Sequence, residues 1–265
     1  MHHVIVGGGQ AAVSAAAKLR ALDDAASITI ISEESVLPYQ RPPLSKAYLS
    51  GEMPLDRLQL RPREWYDEAG VDIRLGTRAE NLDLDTQTVQ TTDGDVPFDR
   101  LLIATGTRVR RLPEGLGDDL AGVHYLRTTA DIDAMAPQMG EGRKLVIVGG
   151  GYIGLEVAAV ARKRAMSVVV LEVADRILQR VASQETSDYF RNLHTSHGVV
   201  LMEGQGLERF EGDERLERVR LSDDTVLDAD MALVGIGVVP NDELARGAGI
   251  ACDNGITVDA HCRTS

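Results

Sequence analysis

Two glycine turns, each set between an apolar strand and a small-residue helix, constrain this chain more than any other feature. The first reads Val4-Ile-Val-Gly7-Gly-Gly9-Gln-Ala-Ala12 and opens a helical run from Ala11 to Ala21. A second apolar strand, Ile28-Thr-Ile-Ile-Ser-Glu33, ends in a carboxylate 26 residues after Gly7. This order is the strand–turn–helix–strand unit of a dinucleotide site. Gly7 permits the tight turn, Gly9 lets the backbone reach a pyrophosphate, and Ala12 lets the helix pack close to the strand. The helix N-terminus offers unpaired N–H groups and positive dipole to phosphates. Glu33 can accept hydrogen bonds from a ribose diol.

A single glycine fingerprint is a weak signal, because glycine turns are common. Here the unit recurs 142 residues later as Lys144-Leu-Val-Ile-Val-Gly149-Gly-Gly151-Tyr-Ile-Gly154-Leu-Glu-Val-Ala. Its second strand, Ser167 to Leu171, ends in Glu172, 23 residues after Gly149. Two complete fingerprints imply two nucleotide sites. The expected fold class is therefore α/β, with two Rossmann-like three-layer (ββα) dinucleotide-binding domains.

The 265 residues suffice for two domains of ordinary size. No apolar run reaches the roughly 20 residues that a membrane span needs. No basic region precedes the first apolar run, so no signal peptide is expected and a cytoplasmic location is the default. A net charge of -13 argues against nucleic acid and against an anionic membrane surface as partners. Cys252 and Cys262 form neither a CxxC nor a zinc pattern and read as reduced thiols. His194 and His197 lie three apart in an expected helix without further ligands nearby. They read as surface residues, and no metal is expected.

Between the fingerprints, Leu37-Pro-Tyr-Gln-Arg41-Pro-Pro-Leu-Ser-Lys46 reads as a rigid loop entering a short helix over 44–49, with Arg41 and Lys46 near the C-terminal edge of the sheet. A short helix over 63–69 holds Trp65, the only tryptophan, as a core residue. The stretch 79–92 alternates apolar and polar residues, and Asp93-Gly94 supplies a hairpin turn. Leu101-Leu-Ile-Ala104-Thr105-Gly106 is a buried strand ending in a small-residue turn, mirrored by Met231-Ala-Leu-Val-Gly-Ile-Gly237. Helices are expected over 130–139 and 184–197, with antiparallel strands over 207–210, 216–221 and 226–227. These readings divide the chain into residues 1–110 plus 241–265 and residues 111–240.

The pieces Pro38-Tyr-Gln-Arg-Pro-Pro-Leu-Ser-Lys46, Ala104-Thr-Gly106, Tyr125-Leu-Arg-Thr128, Gly149 to Glu156 and Gly235-Ile-Gly-Val-Val-Pro-Asn241 carry a further signal. With them the chain resembles, over essentially its whole length, the FAD-dependent pyridine nucleotide oxidoreductases with two dinucleotide-binding domains. The nearest branch is the ferredoxin, putidaredoxin and rubredoxin reductases that serve oxygenase systems. The resemblance implies FAD binding by 1–110 plus 241–265, a discontinuous and incomplete domain, and NAD binding by 111–240. It implies that Gly7, Gly9 and Ala12 hold the FAD pyrophosphate and Glu33 its adenosine ribose. Arg41 and Lys46 would lie along the flavin, the backbone at Ala79 would meet the adenine, and Arg127 would reach the FAD. Ala104, Thr105 and Gly106 would also line the cofactors. Gly149, Gly151 and Gly154 would hold the NAD pyrophosphate, with Glu172 on its ribose, and Ile153 and Gly237 would be further cofactor contacts. Lys46 and Glu156 would be the catalytic pair.

A carboxylate at Glu172 accepts from a free 2′-hydroxyl and repels a 2′-phosphate, so NADH is expected over NADPH. Arg176, four residues on, is a cation that could reverse this. Relatives that reduce disulfides carry reactive cysteines after the first fingerprint, whereas this chain has none before position 252. A thiol relay is thereby excluded. The implied activity takes hydride from NADH onto FAD and passes electrons to a ferredoxin-type iron–sulfur protein, with Arg108, Arg110 and Arg111 as candidate docking cations. Within the fold, an NADH oxidase or a monodehydroascorbate- or nitrite-reductase-type flavoenzyme is the alternative. From another class, the alternative is a non-catalytic nucleotide-binding module like apoptosis-inducing factor. The family's second FAD motif and interface domain lie past the point matching Ser265, so the match is C-terminally truncated.

Overall fold

In the computed structural model, which describes residues 1–265, the apolar runs become two parallel sheets, each with its own helix and its own small antiparallel sheet. One unit comprises Met1–Gln40, Leu55–Arg108 and Val239–Ser265; the other comprises Arg41–Pro54 and Val109–Val238.

In the first unit the parallel strands run in the order Val71–Arg74, Ser27–Ile31, His2–Val6, Arg100–Ile103. Successive strand residues point to opposite faces. Ile5, Ile28 and Ile30 therefore face one way and pack with Ala12, Val13 and Ala16 of the helix Gln10–Leu22 and with Tyr66. Val4, Val6 and Ile31 face the other way and meet Leu82, Val89 and Val96 of the antiparallel sheet. Each such side chain, fully buried, contributes roughly 1.5–3 kcal/mol. The alternating stretch 79–92 is two strands, Ala79–Asp83 and Thr88–Thr91. It breaks because the Asp83 carboxylate accepts from the N–H groups of Asp85 and Thr86, both at 2.9 Å, and curls the chain. The Asp93-Gly94 turn leads on to Val96–Pro97. Trp65 is only partly buried, edge-on to Tyr66 and under the Arg61 guanidinium; the fully buried aromatic is Tyr66.

The second unit repeats the plan. Its parallel strands run Val199–Glu203, Ser167–Glu172, Lys144–Val148, Met231–Val234, Val123–Tyr125. Val146, Val148, Ala232 and Val234 pack against Phe210, Val219 and Leu221 of the antiparallel sheet. The helix Tyr152–Lys163 buries Val157, Ala158 and Ala161. The fold is thus α/β with two Rossmann-like three-layer halves. The expected helix over 130–139 is shorter, Thr129–Met135, capped by Thr128 and Asp131 and tightened into a 3-10 turn where Pro137 removes a donor.

Three expectations need correction. An uninterrupted segment 1–110 does not form one unit, because Arg41–Pro54 belongs to the second. The Arg164 guanidinium donates to Leu49 O at 2.5 Å and the Tyr48 hydroxyl to Asp133 at 2.8 Å, which fastens this loop there. The expected helix over 44–49 is the single 3-10 turn Pro42–Ser45. His194 is buried rather than on the surface, 8 % exposed. It lies one helical face with Ser187 and Phe190, the inward side of Gln184–Ser196. No helix is long and apolar enough to cross a membrane.

Candidate functional site: two glycine turns and a lysine–glutamate pair

At the first turn, Gly7 N donates to Ile31 O at 2.8 Å, so the chain leaves the strand still bonded to its neighbour. Gly7 has φ +124°, and a Cβ there would stand 2.1 Å from Ala104 O. Only glycine fits. Gly8 is constrained by a side chain rather than by backbone, since its Cβ would meet Ser32 Oγ at 2.2 Å and force that serine to shift. Gly9 is different: nothing lies within 4 Å of its would-be Cβ. It caps a helix that has no side-chain N-cap bond, so open space and free N–H groups coincide. Ala12 is fully buried. Ala104 N donates to Val6 O, Thr105 Oγ1 to Asn241 O at 2.5 Å, and Asn241 N to Gly106 O, which draws the small-residue turn against the returning chain. Glu33 lies outside this cluster, exposed and paired with Arg78 at 3.2 Å. Ala79 opens its antiparallel strand.

The second turn has the same frame. Gly149 N donates to Leu171 O at 2.8 Å, its φ is +116°, and its Cβ would stand 2.4 Å from Gly235 O. Gly151 faces open space, and Gly154 is obligatory because a Cβ would stand 2.2 Å from Gly149 O. Beside it lies a cleft of about 620 Å³ lined by Gly149, Gly151, Ile153, Glu172, Arg180 and Gly237, among others. The Glu172 carboxylate accepts from Gly150 N at 2.8 Å and Ala174 N at 2.9 Å. A Cβ on Gly150 would force its neighbours to shift, with Ile177 Cγ2 at 2.7 Å and Glu172 at 3.1 Å. Arg176 is engaged within its own loop. Its guanidinium donates to Ser187 Oγ and to the carbonyls of Ser183, Gln179 and Ala182, bracing the loop.

The two strand-end acids are not equivalent. Ile31 and Leu171 hold matching places, each accepting from the first glycine of its turn. The residue after them is Ser32 in one unit and Glu172 in the other; Glu33 comes one step later. Counting from the glycines could not show this, because the connecting lengths differ.

The proline loop forms a second cluster inside the second unit. Lys46 Nζ lies 2.7 Å from Glu156 Oε2 and donates to Pro42 O at 3.0 Å. Ser45 Oγ donates to the same Glu156 oxygen at 2.5 Å. Arg41 donates to the carbonyl of Arg127 at 2.6 Å, while Arg127 N donates to Asp131. Lys46 and Glu156, 110 residues apart in sequence, are thus brought together. Ser45 went unnoticed in the sequence because a serine beside a lysine carries no signal of what its hydroxyl will meet. The proposed docking arginines are partly neutralised: Arg108 pairs with Glu243 at 2.6 Å, and Arg111 lies 3.7 Å from Asp118 and over the Tyr125 ring.

The residues of both turns suit a bound dinucleotide. Gly9 and Gly151 each leave a cradle that a side chain would fill, at the start of a helix with unpaired donors.

Known proteins bear on the whole chain. The family described as pyridine nucleotide-disulphide oxidoreductase matches residues 1–265. Rhodocoxin reductase of Rhodococcus erythropolis is 42% identical over 266 residues, covering 100% of this chain and 62% of that protein. The ferredoxin–NAD(+) reductase component of the anthranilate 1,2-dioxygenase system of Burkholderia cepacia is 42% identical over 268 residues, 99% of this chain and 64% of its own length. Among solved structures, the covalent putidaredoxin reductase–putidaredoxin complex superposes with a TM-score of 0.96 at 39% identity, covering 99% of this chain and 64% of the other. The chain therefore spans less than two thirds of the length of the relatives it matches. Matched from its first residue to its last and built on two dinucleotide folds, the chain belongs to the pyridine nucleotide-disulphide oxidoreductase family.

Proposed function

We propose that this protein is an NADH-dependent, FAD-containing reductase that passes electrons to a ferredoxin-type iron–sulfur protein of an oxygenase system. The observation that carries this reading is the pair of glycine turns, each with a collision that only glycine avoids and an open cradle at its helix start. The names of the relatives, rhodocoxin reductase and ferredoxin–NAD(+) reductase component, support the acceptor class. Bound FAD supplies the chemistry that turns a two-electron hydride into electrons delivered singly.

The residues divide that task. Gly7, Gly9 and Ala12, with Ala104, Thr105 and Gly106, hold FAD on the unit of Met1–Gln40, Leu55–Arg108 and Val239–Ser265. Glu33 and Ala79 take its adenosine end. Gly149, Gly151, Ile153, Gly154 and Gly237 hold NADH on the second unit, within Val109–Val238. Glu172 spends one lone pair of each oxygen on backbone N–H groups and keeps others for the ribose hydroxyls. Its charge disfavours a 2′-phosphate, and Arg176, tied into its loop, does not offset it. Arg41 and Arg127 stand beside the proline loop as cofactor contacts. Lys46 keeps an N–H beyond those given to Glu156 and Pro42, a cation available to stabilise charge arriving on the flavin. With no cysteine before position 252, no thiol intervenes. The two unpaired cysteines go with a cytoplasmic setting.

The test is an anaerobic addition of NADH to the FAD-loaded protein. The yellow flavin band is expected to bleach, and to return on adding a [2Fe–2S] ferredoxin in its oxidised form. A flavin that stays bound and yellow after NADH sinks the hydride step.

A further inference from the structure

Two formally charged side chains line the 620 Å³ cleft of the second unit, Glu172 and Arg180. They are not alike in their surroundings. Glu172 is engaged by two backbone N–H groups, whereas Arg180 makes no ion pair and no hydrogen bond. Free surface arginines are ordinary, but this one is held over a cleft. The loop bearing it is pinned on several sides. Leu178 N donates to Gly150 O at 3.0 Å, Ile177 N to Glu203 Oε1 at 2.8 Å, and Ser187 Oγ to Ile177 O at 2.7 Å. Ile177 and Leu178 are buried, and the Arg176 guanidinium ties the loop's far end. The pinned loop carries Arg180 Nη2 to 3.8 Å from where a Cβ on Gly237 would stand. It thus reaches the far wall of the cleft, past the ends of the central strands. The chain as a whole carries a charge of -13, which repels an anion, so a cation inside the cleft matters the more.

We infer that Arg180 binds the pyrophosphate of the dinucleotide, facing it from the side opposite the start of the helix Tyr152–Lys163. This rests on the proposed reading of the cleft as the NADH site and names a residue that reading does not contain. The helix start supplies N–H donors, and Arg180 supplies the full positive charge that a diphosphate needs. The cleft then has a polarity: an acid at the ribose end and a base at the phosphate end. Arg176 and Arg180 look interchangeable in the sequence, yet one is a brace and the other a ligand.

The test is calorimetric titration of the 265-residue protein and of R180A, R180K and R180E with NADH, NADPH, ADP and adenosine. Loss of one charge-assisted contact is expected to weaken NADH and ADP about tenfold or more in R180A, further in R180E and less in R180K, with adenosine unchanged. Unfolding midpoints of the variants should match the parent, since Arg180 braces nothing. NADH and ADP affinities in R180A within twofold of the parent would overturn the assignment, as would an equal loss for adenosine. A loss confined to NADPH would overturn it too, by placing the cation on a 2′-phosphate. A parent protein that binds none of these molecules would instead sink the reading of the cleft itself.

Discussion

At Gly7 and at Gly149 the same collision demands the same residue: a Cβ would strike Ala104 O in one unit and Gly235 O in the other. From there the turns diverge. Five residues on, the first helix carries Ala12, with its methyl fully buried, and the second carries Gly154, where a methyl would stand 2.2 Å from Gly149 O. After the second strand, the first unit places Ser32 against its turn and holds Glu33 out in solvent with Arg78. The second unit places Glu172 there, bonded into the turn. The second turn is therefore wound tighter, and its acid is structural as well as a candidate ligand. The first turn is looser, and its acid is separable from it.

The largest effect should come from exchanging the third-slot residues. Gly154→Ala is expected to destabilise the second unit by about 3 kcal/mol, because the obstacle is backbone and cannot rotate away. Ala12→Gly should cost the first unit only about 1 kcal/mol, mostly helix propensity. Urea unfolding read by far-UV circular dichroism measures both; equal losses would erase the contrast.

Next comes the acid. Glu172→Ala leaves Gly150 N and Ala174 N without their acceptor and should cost roughly 1–3 kcal/mol. It should also narrow the preference for NADH over NADPH. Glu33→Ala removes one exposed ion pair and should change stability by less than about 1 kcal/mol. Thermal melts together with NADH and NADPH titrations separate the two roles. A Glu172→Ala protein as stable as the parent, with an unchanged cofactor ratio, would leave the acid with neither.

The smallest effect is on pH. Burial holds the His194 imidazole below its ordinary value of 6.5, and the neighbouring His197 adds to this. Below 6.5 the unfolded chain takes up a proton that the folded unit resists. The stabilisation is therefore complete above 6.5 and is lost as pH falls below it. His194→Asn should flatten that decline in a melting series from pH 7.5 to 5. The first unit has no buried histidine, so the contrast fails if its melting responds equally to the same substitution.

Much of this was legible in the sequence for a physical reason. Apolar strands of five or six residues and glycines at forced positions leave local marks, so both fingerprints, the Ala104–Gly106 turn and its mirror at Gly235–Gly237 could be read directly. Gly8 and Gly150 were less legible, since the need for them comes from Ser32 and Ile177, far along the chain. The meeting of Ser45 and Lys46 with Glu156 depends on tertiary placement of the proline loop, which left the boundary at 110 blind to Arg41–Pro54. His194 was misread because two histidines three apart suggest an exposed helix turn until Ser187 and Phe190 show which side faces in. Arg176 and Arg180 differ only in what their loop lets them reach.

The central claim is that the two turns serve two different nucleotides. Calorimetric titration of the protein with FAD and then with NADH tests it most directly, alongside Gly9→Val and Gly151→Val, which fill one cradle each. One FAD and one NADH should bind per chain, with Gly9→Val losing FAD alone and Gly151→Val losing NADH alone. A single shared stoichiometry, or either variant losing both ligands while remaining folded, would contradict it.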